Sequence, residues 1–226
     1  MVHRPLAISL LAIACKTATP EPSPTSSASL AATPQPAAAH ETAALPATPV
    51  HGVAESAAAA QPLDKLPNGR VGIGPFAVQV PADWTELPRS SNMRSAHYEL
   101  PAPEGAKAEL IVYHFGERGA GSVQDNIDRW LSQFQQPDGK SSRDAAKIEK
   151  TRLGGRDVNL VSVSGRYVAP ATPGGGEPSD EPGQSLVAAI VESPSGPYYF
   201  RLIGASAAVA SQTAPFRGML ESMSLR

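Results

Sequence analysis

His97 and His114 lie in neighbouring apolar stretches that also carry Glu99 and Glu109. Imidazole beside carboxylate is the pairing from which general bases and metal sites are built. Here the spacing fits no ligand motif: no two histidines stand one helical turn apart, and a single cysteine excludes a multi-cysteine metal site. The pattern reads as two half-exposed strand histidines. Gly204-Ala205-Ser206-Ala207-Ala208 occupies a strand-to-helix junction, where a hydrolase would place its nucleophile. That chemistry needs an acid and then a histidine after the serine, and no histidine follows His114. Ser206 therefore reads as a helix cap. Gly116 to Ser122 (GERGAGS) has the glycine spacing of a phosphate loop, but Ser122 stands where a lysine must supply fixed positive charge. It reads as a glycine turn and a cap.

Glu177, Asp180 and Glu181 could hold calcium weakly but lack EF-hand spacing. They read either as part of a passive exposed loop or as an acidic strip for a partner, held forward by Pro178 and Pro182. Trp130 sits on an apolar helix face as core material, and Trp84 closes a turn against the sheet edge. No basic groove surrounds either ring, so neither is a base-stacking platform. The expectation is a chain with no catalytic residue, no cofactor-binding residue and no metal ligand.

Cys15 is the one cysteine, and its position carries a clearer signal. Arg4 precedes an apolar run, Leu6 to Ala14, which is too short to span a bilayer of about 30 Å. That is the three-part pattern of an export signal. The stretch Leu11-Ala12-Ile13-Ala14-Cys15 resembles the lipobox of bacterial lipoproteins, departing from the usual pattern in having Ala12 where leucine is commoner. The resemblance implies removal of residues 1–14 as a signal peptide and acylation of Cys15, with palmitate-type chains as the membrane anchor. Lys16 is not the aspartate that retains many lipoproteins at the inner membrane, so the resemblance points to the outer membrane.

These groups need elements to position them, and composition divides the chain. Residues 16–62 contain 15 Ala, 8 Pro, 5 Ser and 6 Thr among 47 positions, with no aromatic residue. Such a segment has too little apolar area to build a core, so 15–65 is expected to be a disordered tether behind the lipidated cysteine. A flexible chain of that length reaches roughly 40 Å. His40 and His51 lie there and read as solvated side chains. All twelve aromatic residues fall between Phe76 and Phe216, which places a folded domain at 66–226. The whole chain carries a net charge of −2, which gives no footprint for nucleic acid.

Within that domain, alternation predicts strands at Phe76–Val80, Ala96–Leu100 and Glu109–Phe115. Ser122 with Asp125 forms a capping box ahead of Val123, Ile127, Trp130, Leu131 and Phe134, at helical spacing. Lys147–Leu153 and Asp157–Val168 flank Gly154-Gly155, a hairpin signal. Residues 169–184 read as a long irregular loop, and SLVAAIVES and YYFRLIG as a second hairpin. A final helix opens at Ser206, with a kink or break expected at Pro215. Hairpins dominate, so the fold class is α+β, an antiparallel β-sheet flanked by helices.

FAVQVPADW, one helix after a strand, a hairpin, and YYFRLIGAS leading into a closing helix resemble the PsbP-like fold, which includes DcrB-type envelope lipoproteins. The resemblance implies an α/β/α sandwich and a non-enzymatic envelope module; it transfers no site residue. The expected function is a membrane-anchored envelope lipoprotein whose domain is a non-catalytic binding or structural module. Its partners are the membrane, through the anchor, and an envelope protein. A small envelope hydrolase built on His97 and His114, or a carrier of an apolar ligand between sheet and helix, are the alternatives.

Overall fold

The structure, a computed structural model, describes residues 61–103, 105–170 and 178–226. The readings placed on Cys15, His40, His51 and Glu177 lie outside the described residues. In chain order the elements are β1 (Asp64–Lys65), β2 (Val71–Ile73), β3 (Phe76–Val78), β4 (Thr85–Glu86), β5 (Arg94–Glu99) and β6 (Ala108–His114). Helix α1 (Val123–Ser132), β7 (Phe134–Gln135) and the single turn α2 (Ser142–Ala145) follow. The long strands β8 (Lys147–Leu153), β9 (Arg156–Ala169), β10 (Ser179–Val191) and β11 (Tyr198–Ala205) lead to α3 (Ser206–Glu221) and β12 (Ser224–Leu225).

The main sheet is antiparallel in the order β4-β5-β6-β11-β10-β9, with β7 and β8 each pairing to a different part of β9. β10 and β11 stand at its centre because their residues are apolar on both rows, as central strands require. On one face Leu110, Val112, Phe200 and Leu202 pack with Phe76 and with Phe216 of α3. Phe76 belongs to a second, small sheet ordered β1-β2-β3-β12. On the other face Leu186, Ala188, Ile190 and Tyr199 pack with Ile127 and Trp130 of α1. The fold is the expected α+β sandwich.

Several local expectations hold. Gly154 and Gly155 turn the β8–β9 hairpin with φ of 55° and 73°, the paired positive values of a type I′ turn. Gly154 is required twice over, since a Cβ there would lie 2.6 Å from the Met223 carbonyl oxygen. Ser122 caps α1: its Oγ accepts from the Asp125 amide at 3.1 Å, and Asp125 Oδ2 accepts from the Ser122 amide at 3.0 Å.

Four expectations are corrected. First, the long loop is shorter than 169–184, because β10 begins at Ser179, opposite Ala169. Pro182 and Gly183 sit at a register shift between Glu181 and Gln184, a bulge that accommodates a proline within a ladder. The Arg166 guanidinium grips Asp180 through two hydrogen bonds, at 2.5 and 2.6 Å, across the strands. Second, α1 stops at Ser132 and Phe134 enters β7, where it pairs with Tyr167 at a ring separation of 5.2 Å. The ladder to β9 gives that backbone partners that a fraying helix end lacks. Third, α3 runs unbroken through Pro215. A proline costs about 3 kcal/mol in a helix interior. Burying Phe216, Met219 and Leu220 on the sheet returns about 1.5–3 kcal/mol each, which outweighs it.

Fourth, Ala205 is the N-cap of α3 and Ser206 is its first helical residue. The Ser206 hydroxyl donates to the Gly183 carbonyl at 2.8 Å. Its oxygen accepts from Ser185 at 2.7 Å, and Ser185 lies 2.7 Å from Ser164. A carbonyl can only accept, so the chain of protons has one direction: Ser164 to Ser185 to Ser206 to Gly183. This ladder ties the bulge of β10 and the start of α3 to β9. Ser185→Ala leaves Ser206 without its donor and Ser164 without its acceptor. The expected loss is about 1–2 kcal/mol, and the melting temperature should fall by about 2–8 °C by circular dichroism. Ser164→Ala, at the exposed end of the chain, should cost less than half as much.

Candidate functional site

The strand register decides what the two histidines can do together. His97 pairs with Ile111 on β6, whereas His114 lies three positions further along that strand, opposite Tyr198. Side chains alternate with a period of two, so an odd separation sends them to opposite faces of the sheet. His114 faces the α3 side and stacks on Tyr198 at 4.2 Å, with its Nδ1 3.3 Å from the Pro197 carbonyl oxygen. Desolvation raises the Tyr198 hydroxyl above its ordinary range.

His97 faces the α1 side, where its Nε2 is 2.8 Å from Glu109 Oε2. The hydrogen bond from His97 holds the Glu109 carboxyl below the usual range, against its partial burial, and the charges of His97, Arg94 and Arg201 add to the effect. The ionised carboxylate therefore accepts the Nε2 proton. His97 Nδ1 is buried without a hydrogen-bond partner among the described residues. Glu99 sits at the exposed end of β5, opposite Glu109. The pair His97–Glu109 thus ties β5 to β6.

The other sequence candidates are similarly engaged. Ser206 has its proton on a backbone carbonyl, the wrong polarity for a nucleophile. The glycine segment 116–122 leads into α1, but the Asp125 carboxylate occupies the helix entrance. Hydrogen bonds from the Ser122 hydroxyl and amide hold that carboxyl low, so negative charge already fills the position an anion would take. Asp180 leaves the acidic strip for its bond to Arg166, which keeps its carboxyl low. Trp130 is buried with Arg201 over its ring at 5.9 Å. Trp84 is buried and donates to Gln212 Oε1 at 2.9 Å.

Among the described residues, two depressions stand out. The larger, about 550 Å³, lies between the end of α1, β7 and α2, within the range of small-molecule sites. Its charged groups are already matched: Arg143 pairs with Asp128, and Lys140 with Asp138 at 3.0 Å. The smaller, about 130 Å³, is a groove on the α3 side, between that helix and the outer strands. Leu160, Val187, Phe216 and Leu220 make it apolar. Lys147, paired with Glu149, and Arg217, paired with Glu221, border it, so what distinguishes it from the larger depression is its apolar lining. It is too small for a lipid, and it adjoins β8, which among the described residues pairs only with β9. We take this groove as the candidate binding site. Sequence reading missed it, since no single element contains it. Its one local trace is the alternation of Lys147, Glu149 and Thr151 with Ile148 and Lys150 along β8.

The Glu109 carboxyl gives a pH-dependent test of the His97 tie. A lowered folded-state value contributes stability above the ordinary carboxylate range, and that contribution is lost as pH falls through the lowered value. The side chain is 43% exposed, which limits the pair to about 1 kcal/mol or less. Glu109→Gln should lower the melting temperature modestly at neutral pH. The gap to the parent should close as both are taken below about pH 4.

No protein-family model matches the chain, and no curated protein matches it. Among solved structures, it is similar to a cyanobacterial PsbP from Synechocystis, with 12% identity and a TM-score of 0.40, covering 67% of this chain and 87% of that one. It is also similar to a protein of unknown function from Pseudomonas aeruginosa, with 14% identity and a TM-score of 0.38, covering 57% and 81%. A Bacteroides thetaiotaomicron protein follows at 12% identity and a TM-score of 0.37, covering 69% of this chain; the chain spans about half of that protein, 47% of its length.

Proposed function

We propose that this chain is a lipid-anchored protein of the bacterial envelope, whose folded domain is a binding module without catalytic activity. The anchor rests on Cys15, the lone cysteine, placed directly after the apolar run Leu6 to Ala14. Several acyl chains at about 0.8 kcal/mol per buried methylene hold a protein stably on a bilayer. Residues 16–62 serve as the spacer, and Lys16 favours the outer membrane. No helix among the described residues is long and apolar enough to cross a membrane.

The observation that carries the non-catalytic reading is the placement of His97 and His114 on opposite faces of the sheet. A hydrolase on those residues needs them to converge on one substrate atom, within about 3 Å of it. Each instead meets its own structural partner. The carrier alternative asks for a cavity of a few hundred cubic ångströms between sheet and helix. The groove beside α3 offers about 130 Å³, and the depression of about 550 Å³ between α1, β7 and α2 is lined mostly by polar and charged residues, which suits an apolar ligand poorly.

The anchor is tested by metabolic labelling with an alkyne analogue of palmitate in a Gram-negative bacterial host. The parent chain should be labelled, shortened by the 14 signal residues and recovered with membranes. Cys15→Ser should be unlabelled, retain its full length, and lose the acyl anchor. Equal labelling of the two would overturn the proposal.

A further inference from the structure

We infer that the open edge of β8 is a docking site for an extended peptide strand that alternates apolar and acidic residues, with one apolar side chain seated in the groove beside α3. This rests on the binding-module reading and names its partner class. β8 offers seven residues of backbone whose outer edge pairs with no strand among the described residues. An edge of that length can accept a strand, with main-chain hydrogen bonds giving affinity and pockets for alternate side chains giving specificity.

The register specifies those alternate side chains. Lys147, Glu149 and Thr151 pair with Ser162, Leu160 and Val158, on the α3 face; Ile148, Lys150 and Arg152 point to the other. A strand laid against β8 therefore sends every second side chain toward the α3 flank, where the apolar groove is open. The intervening side chains fall beside Ile148, Lys150 and Arg152. Ile148 is 39% exposed, and Lys150 makes no ion pair among the described residues. Acidic residues are favoured on that row and apolar ones on the groove row.

Charge also selects against the simplest competitor, a second copy of the same strand. β8 carries Lys147, Lys150 and Arg152 against the single acid Glu149. Lys147 pairs with Glu149 and Arg152 with Asp157 of β9, which leaves Lys150 as its cation without an ion pair among the described residues. Two such edges repel, the usual protection of an exposed strand, while the same charges attract an acidic one. A groove of about 130 Å³ suits one aliphatic side chain.

The test begins with a phage-displayed library of random decapeptides, selected on the full chain purified in detergent and immobilised. Enriched sequences should alternate apolar and acidic positions. A synthetic peptide from the enriched set should slow hydrogen–deuterium exchange in 147–153 on binding. Lys150→Glu combined with Arg152→Glu, both exposed, should weaken that peptide at least tenfold by fluorescence anisotropy. Arg152 also pairs with Asp157 and donates to the Gly155 carbonyl, so the melting temperature should fall modestly, while Lys150→Glu alone should weaken the peptide with the melting temperature unchanged. Ser162→Phe, which fills the groove floor, should weaken it comparably; the charge-reversal pair remains decisive if this variant is unstable. Failure to enrich, protection mapping away from 147–153, or equal binding by the charge-reversed chain would overturn the inference. So would a dimer whose β8 amides are protected without peptide. Peptides bound elsewhere would leave the binding-module reading standing, and the Cys15 labelling is independent of every outcome.

Discussion

Between Leu186 and Val191, and again between Tyr198 and Leu202, both side-chain rows of the sheet lie largely out of water, so each face needs its own covering layer. α1 covers one face with Ile127 and Trp130, while α3 and the small sheet share the other. A helix is about 10–12 Å across and strands repeat at about 4.8 Å, so one helix covers little more than two strands. α3 lies over β10 and β11. β8 is two strands out from β10 and falls beyond its width. The groove between them is a consequence of covering the centre of the sheet with a single helix. The charged rows of β8 are likewise what a strand outside that cover requires.

Because α3 carries so much of one core, its seat is fixed at several points. At its start, the serine ladder runs from β9 to the Gly183 carbonyl. In its middle, Gln212 accepts from Trp84 and donates to the Pro101 carbonyl at 2.8 Å, so a buried amide is used at both ends. Beyond its end, Arg70 donates to the carbonyls of Ser222 and Ala77, each at 2.5 Å, and to Ser224 Oγ at 3.0 Å. Arg226 reaches Asp64 at 2.6 Å and the Gly74 carbonyl at 2.8 Å, drawing the last residue to the first strand. These charge-assisted bonds are the stronger kind, and they close the small sheet around both limits of the domain. A helix held in this way tolerates Pro215 without breaking.

Local chemistry was legible in the sequence wherever one element settled the matter alone. The Ser122–Asp125 box, the Gly154-Gly155 turn and the alternating rows of β3, β5 and β6 all depend on near neighbours. Whatever depended on a distant partner was not. Ser179 to Gln184 read as loop because Pro182 and Gly183 are strand breakers, yet β9 supplies a ladder and Arg166 grips Asp180. Phe134 fits a helical stripe by spacing and is claimed by Tyr167. The groove joins β8, β9, β10 and α3, and only the width of α3 relative to the sheet defines it. The faces of His97 and His114 needed the register of two strand pairs, since each strand alone leaves the phase between them open.

Most buried polar groups of the described domain are committed to its architecture. Among the described residues Asn126, Ser142, Ser185 and Gln212 are buried and polar, and each secures a backbone segment or another side chain, whereas His97 Nδ1, Tyr98 Oη and Arg201 Nε are buried without a hydrogen-bond partner. Asn126 donates to the Ser122 carbonyl at the head of α1, and Ser142 to the Phe134 carbonyl at β7. Ser185 and Gln212 hold α3. Leaving any one of them unmatched costs about 1–3 kcal/mol, a large share of a typical domain's margin. In the proposed docking, recognition falls instead to groups that water now satisfies: the outer edge of β8 and the charges beside it. There a partner's backbone can replace water at little desolvation cost, and its side chains meet an apolar groove on one row and cations on the other.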